Sequence, residues 1–137
     1  MNVAALAIAE LLHRFSRFLY VDLDIHHGDG VQRIFERDAR VFTLSVHLHA
    51  PEFYPTTDEL DAPGLELTPH SPLEQFFLNV PLREGPSNDT FVELVCFALD
   101  RVLPAFRPDA LVMQCGADSL AGDPILGRLG FTFSPFW

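Results

Sequence analysis

The chain contains no lysine: all nine of its cations are arginine. No side-chain amine is therefore available as a Schiff-base nucleophile, a phosphate-loop ligand or an acetylation site. Basic residues as a group are scarce, nine against nineteen acids, for a formal net charge of −10. That balance argues against a generic binder of phosphate backbone, which needs a basic face, and suits a basic peptide partner. Cysteine is nearly absent too. Cys96 and Cys115 have no CxxC spacing, and with no secretory signal they read as reduced thiols of an intracellular protein. No apolar run is long enough to cross a membrane: the stretch over 3–9 lacks a basic flank and is broken by Glu10 and His13. Repeats, low-complexity tracts and linkers are missing as well. What remains is 137 residues, 48% hydrophobic with thirteen Phe and 20% charged. This excludes a disordered acidic chain and supplies enough apolar surface for one folded core.

Ala4, Ala7, Ile8, Leu11 and Phe15 recur at helical spacing, which predicts an amphipathic helix over 3–15. A buried strand fits 18–21, a short helix follows around Val31, Ile34 and Phe35, and a β-branched and aromatic run predicts a second strand over 41–46. A third strand fits 76–80. Behind the cap candidates Ser87, Asn88 and Asp89, a long helix fits 91–103, and a fourth strand fits 110–114. Alternating helices and strands predict an α/β fold, a three-layer parallel sheet with helices on both faces. The stretch over 47–75 carries five prolines and no periodicity, long for a connection inside a domain. The end, with Phe131, Phe133, Phe136 and Trp137 in eight residues, does not look like a solvated tail.

Chemistry concentrates in Asp22-Leu23-Asp24-Ile25-His26-His27-Gly28-Asp29-Gly30, directly after the first strand. If the backbone stays extended past Val21, alternation puts Asp22, Asp24 and His26 on one side, where oxygen and nitrogen donors converge on one cation. Parallel α/β sheets carry their sites beyond the carboxyl ends of the strands, where this cluster falls. Blander alternatives are that Asp29 and Gln32 form a capping-box helix start and that a lone buried histidine is a hydrogen-bonded core residue. Five ionisable groups together are harder to dismiss, because burying them unpaired costs several kcal/mol each. A cation or a dense hydrogen-bond network is required. Gly28 and Gly30 suit a tight turn. For His47, His49 and His70, an exposed or core-satisfied state is the simpler expectation.

A second candidate follows the fourth strand, in Gln114-Cys115-Gly116-Ala117-Asp118-Ser119. Alone, Asp118 reads as a turn cap. Beside the first cluster it offers a third ligand, and an Asp-His-Asp set leaves a position open for water, as in a catalytic zinc site.

Five blocks, FLYVDLDIHHGDGV over 18–31, TLSVH over 43–47, FYP over 53–55, NVP over 79–81 and MQCGADSL over 113–120, resemble the zinc-dependent histone deacetylase family, class I type. The resemblance covers residues 1–124 as a central segment of the catalytic domain, leaving 125–137 as a divergent aromatic end. It implies an arginase/deacetylase-like fold, present only in part, and zinc-dependent hydrolysis of N6-acetyl-lysine on histone tails. By position it implies Asp24, His26 and Asp118 as zinc ligands. Asp22 and Asp29 match aspartates that orient a pair of catalytic histidines. Asp22, Asp24, His26, Ser45 and Val46 match a structural potassium site, and Phe35, Asp38 and Val41 a second monovalent site. Tyr54 falls on the wall of the acyl-lysine channel, where the family usually has Phe, so its hydroxyl needs a partner or water.

The family's general-base histidine pair lies upstream of the helix with which this chain begins, and its oxyanion tyrosine lies downstream. The expectation is a chain with metal ligands and little turnover by itself. Implied partners are acetylated histone tails or other acetyl-lysine proteins and corepressor subunits, with no direct nucleic acid and no membrane. The nucleus is the implied location, with the cytoplasm second. Two rival readings stay open: a non-catalytic, partner-binding fragment with exposed sheet edges, and a deacetylase of small amides such as acetylpolyamines.

Overall fold

The computed structural model describes residues 2–51, 53–54, 76–120 and 123. In chain order the elements are α1 (Val3–Leu11), β1 (Phe18–Asp22), α2 (Asp29–Phe35), β2 (Val41–Leu48), β3 (Phe77–Leu82), α3 (Asn88–Phe106), β4 (Ala110–Gln114) and a 3₁₀ turn (Ala117–Ser119). The strands form one sheet in the order β3-β2-β1-β4, with every pairing parallel. β1 and β2 lie in the middle and are buried at every residue. Their sequences accordingly read as continuous apolar runs with little alternation. Pro81, which has no N–H for a ladder, sits in β3 at one end of this order.

Alternate residues divide the core between two faces. Leu19, Val21, Phe42, Leu44 and Val46 pack with Ala98, Val102 and Phe106 of α3. Phe18, Tyr20 and Val41 pack with Ala5 and Ile8 of α1 and Val31 and Phe35 of α2. Helices thus cover both faces, as the alternation of elements predicted.

Element lengths differ from expectation in two helices. α1 ends at Leu11, not at 15, because the next turn tightens: His13 and Arg14 donate to carbonyls only three residues back. Phe15 then leaves the helix and meets Phe18 edge-on at 5.6 Å. α3 begins three residues early, where the Ser87 hydroxyl accepts the Thr90 N–H, and runs past Pro104 to Phe106. The extra turn inserts the fully buried Phe106 beside Phe42 at 5.4 Å, a burial worth more than the one hydrogen bond that proline removes. β2 also continues two residues past the expected 46, and β3 is shifted to 77–82. Of the long loop, only 49–51 and 53–54 are described, and the aromatic end, His70 and the assignment of 125–137 lie outside the described residues. Among the described residues no helix is long and apolar enough to cross a membrane.

Because Phe106 joins α3 to the sheet, Phe106→Ala is expected to destabilise the fold by about 3–5 kcal/mol. A chemical-denaturation series reads this directly, and a change under about 1 kcal/mol would contradict the packing described.

Candidate metal centre

The carboxyl ends of β1 and β4 release chain side by side. Asp22 lies opposite Gln114, and the Leu23 N–H adds one more rung by donating to the Gln114 carbonyl at 3.0 Å. Beyond that rung the expected extended backbone is not kept. Residues 24–26 bend, because short aspartate side chains capture nearby amides: Asp22 Oδ1 accepts the Asp24 N–H at 3.1 Å and Asp24 Oδ1 accepts the His26 N–H at 2.9 Å. Asp22, Asp24 and His26 therefore do not share one side of a strand. Asp22 turns inward and is buried, whereas Asp24 and His26 are half-buried.

The bend delivers Asp24 and His26 to Asp118, on the 3₁₀ turn after β4. His26 Nδ1 stands 2.9 Å from Asp24 Oδ1 and 3.1 Å from Asp118 Oδ2. One potential ligand atom from each of the three lies within 4.8 Å of the others. Asp118 is held from both sides of its turn. Its Oδ1 accepts the Ile25 N–H at 3.3 Å, and the Ser119 hydroxyl lies 3.1 Å from both the Leu23 and the Gly116 carbonyls. The Ile25 carbonyl in turn accepts the Leu48 N–H from β2. The site is thus pinned to the strands on either side of β1.

Asp22 serves this site from below. Its Oδ2 accepts the Tyr20 hydroxyl at 2.7 Å. Burial pushes the Asp22 carboxyl above the usual carboxylate range, opposed by the Tyr20 hydrogen bond, and burial raises the Tyr20 phenol in the same way. Ser45, opposite Asp22 in register, accepts the Gly28 N–H at 3.1 Å and lies 2.9 Å from His47 Nδ1. Val46 follows it, buried in the core. An open cavity of about 390 Å³ runs along this side, lined by Tyr20, Asp22, Asp24, His26, His27 and Asp29 among others.

Aromatic rings form the outer wall. Phe53 stacks on His26 at 5.0 Å and 14°, and Tyr54 meets the same ring edge-on at 6.4 Å. The partner that the Tyr54 hydroxyl requires is Asp29, whose hydrogen-bonding contact raises the phenol above its ordinary range. Asp29 also lies 3.6 Å from Arg33, one turn along α2. It does not form a capping box with Gln32: Gly28 is the N-cap, no side chain caps that end, and Gln32 turns inward to His27.

Phe35, Asp38 and Val41 share one turn, where the Phe35 carbonyl accepts from Asp38 and the Asp38 carbonyl from Val41. Arg40 holds the Asp38 carboxylate through two guanidinium contacts at 2.9 and 2.7 Å and keeps it below the usual range. His47 is fully buried, as a core-satisfied residue, and His49 is exposed. Tyr20, Gln32 and Asn79 are not expected at the site from sequence: Gln32 enters there only as a capping-box partner and Asn79 only as part of the NVP block, while the available signal for Tyr20 is its position two before Asp22 on the same strand face.

Gly116 is required here for close approach, since its φ of −66° is open to any residue. A Cβ there would lie 2.6 Å from Asp24 Cα and 2.8 Å from Asp118 Oδ1. Gly116→Ala is therefore expected to cost about 1–3 kcal/mol by forcing the two turns apart. An unchanged thermal melt would contradict that geometry.

Comparison with known proteins agrees with this architecture. The family described as "Histone deacetylase domain" matches residues 1–136. The chain is 39% identical to Histone deacetylase 8 of Xenopus laevis over 125 residues, covering 91% of this chain and 37% of that protein. It is 43% identical to Probable histone deacetylase 19 of Zea mays over 130 residues, 95% of this chain and 23% of that one. Among solved structures, acetylpolyamine aminohydrolase from Burkholderia pseudomallei aligns with a TM-score of 0.76 at 32% identity, over 96% of this chain and 37% of that one. The chain thus spans well under half the length of these relatives. Its parallel sheet, its motif-bearing strand ends and the match over 1–136 agree: the chain belongs to the histone deacetylase family and has the arginase/deacetylase fold.

Proposed function

We propose that this chain is the metal-holding part of a zinc-dependent deacetylase acting on N6-acetyl-lysine in histone tails, with Asp24, His26 and Asp118 as the zinc ligands. The convergence of these three from two separate strand ends carries the reading. Two carboxylates around one imidazole nitrogen gather negative charge and lone pairs at one point, which favours a cation. Carboxylate and imidazole donors suit zinc, and three protein ligands leave room for a water. Zinc held there supplies Lewis-acid polarisation of an amide carbonyl and acidifies a water.

The chain's own residues would do the rest. Phe53 and Tyr54 supply an aromatic wall against which an aliphatic lysine side chain can lie and from which water is displaced. Tyr54, tied to Asp29, holds the rim beside α2. Asp22 and Asp29 both line the cavity, in positions suited to orient histidines by hydrogen bonding. A structural potassium ion would draw on Asp22, Asp24, His26, Ser45 and Val46; its support is the register pairing of Asp22 with Ser45 beside the bend over 24–26. Phe35, Asp38 and Val41 would form a second monovalent site at their shared turn. The net charge of −10 suits a basic histone tail, and corepressor subunits and a nuclear or cytoplasmic location follow from the same reading.

Two further readings each have an observation in their favour. Deacetylation of acetylpolyamines is supported by the solved structure that aligns with this chain. A partner-binding role is supported by β4, an outer strand of the described sheet, where Leu111 and Met113 are nearly half exposed.

In titration calorimetry the full chain is expected to take up about one zinc ion, and saturating zinc at ~100 times Kd should raise stability by about 2.7 kcal/mol. Asp118→Ala should abolish both effects; an Asp118→Ala chain that binds zinc like the wild type would remove the site from consideration. For substrate class, the zinc-loaded chain is expected to bind a linear six-carbon hydroxamate that mimics acetyl-lysine. An acetylated histone-tail peptide should displace it better than N-acetylputrescine. Preferential displacement by the polyamine would favour the small-amide reading.

A further inference from the structure

His26 and His27 are adjacent but differ in burial and in partners. His26 faces the two carboxylates, whereas His27 is 97% withdrawn from solvent, with only 3% of its surface exposed. Nothing in the proposed chemistry uses His27, yet a buried imidazole in an irregular turn is costly unless its nitrogens are engaged. Its Nε2 lies 3.0 Å from Gln32 Oε1 on α2 and 3.0 Å from Asn79 Oδ1 on β3. Both neighbours are acceptors, so Nε2 is the nitrogen that carries the proton and donates between them. Nδ1 is buried with no hydrogen-bond partner among the described residues. The ring also packs on His47 at 4.4 Å, whose Nδ1 meets Ser45 Oγ, and that same hydroxyl accepts the Gly28 N–H. His27 and Gly28 are in this way fastened to α2, β2 and β3 at once, immediately behind the bend that presents Asp24 and His26.

We infer that His27 is a positioning residue for the metal centre: as an Nε2–H donor shared by Gln32 and Asn79, it sets the angle at which the bend over 24–26 offers Asp24 and His26 to a divalent cation. The inference deepens the zinc reading and rests on it. A three-ligand site tolerates displacements of only about 0.5 Å. Among the described residues the bend has no ladder of its own beyond the Leu23 and Leu48 rungs, so an inward anchor one residue from His26 has direct leverage on its ring. The residues carrying this role, Gln32 and Asn79, are separated from His27 by 5 and 52 positions.

The test uses the full chain with cobalt(II) as spectroscopic probe and zinc competition for affinity, at a temperature where each variant is folded by circular dichroism. In His27→Gln the amide nitrogen can replace Nε2 between Gln32 and Asn79. In His27→Leu the volume is kept and the donor lost, and Gln32→Met removes one acceptor while leaving the ring. Outer partners of metal ligands are commonly worth about 10–100-fold in affinity. His27→Leu and Gln32→Met are expected to lose zinc affinity in that range and to shift the visible cobalt bands, whereas His27→Gln keeps both. A folded His27→Leu chain with wild-type affinity and bands would overturn the inference, as would a His27→Gln chain as weak as His27→Leu. If His27→Leu does not fold, Gln32→Met decides alone: unchanged bands and affinity overturn the inference, and a joint loss supports it. A wild-type chain that binds neither metal would overturn the zinc reading and this inference together, whereas tight wild-type binding insensitive to these changes overturns only the latter.

Discussion

The parallel register between β1 and β4 is the constraint on which the rest of the structure depends. With Asp22 opposite Gln114, both strands release their chains at one edge of the sheet, and the Leu23 rung keeps the two turns in step. Ile25 and Asp118, 93 positions apart, become hydrogen-bonded neighbours as a result. Side chains alternate along a strand with a period of two, so a slip of one residue would send Asp22 and Tyr20 to the α3 face and Val21 toward the cavity. The same register thus decides both the apolar core and the acidic edge above it.

Beneath α2, the carboxyl end of the sheet is polar where a parallel sheet is normally apolar. Asp22, Ser45, His47 and Asn79 are all nearly or fully buried there, and His27 and Gln32 join them from above. Such a layer destabilises the fold unless its members pair, and here most do, through the Tyr20 hydroxyl, the Gly28 N–H and the shared His27 Nε2. Its consequence is rigidity below a site that must hold three side chains in a fixed arrangement. The apolar face with Phe42 and Phe106 stabilises the fold; the polar face gives it a shaped edge.

The central strands were legible because burial on both faces demands a continuous apolar run, and β4 begins and ends where its pattern does, at Ala110 and Gln114. The helices were read less well. Periodicity carried α1 too far, through Phe15, since a tightened turn keeps roughly the same spacing of apolar residues. At α3 the expected helix stopped three residues short, just before Pro104, because local pattern takes no account of the burial that Phe106 gains. The extended path past Val21 failed for a local reason: each aspartate captures the amide two residues further on, Asp22 that of Asp24 and Asp24 that of His26, in place of continuing a strand.

The sequence by itself determined the class of sheet, the family and the residue types that gather at the strand ends, because these depend on hydrophobic period, local spacing and motif order. It could not determine that Asp22 turns inward while Asp24 and His26 turn outward, that Tyr54 finds Asp29, or that His27 reaches Gln32 and Asn79. Those outcomes belong to the tertiary structure alone. They depend on which buried donors and acceptors come within about 3 Å once four strands are in register, and no local pattern along the chain encodes that distance.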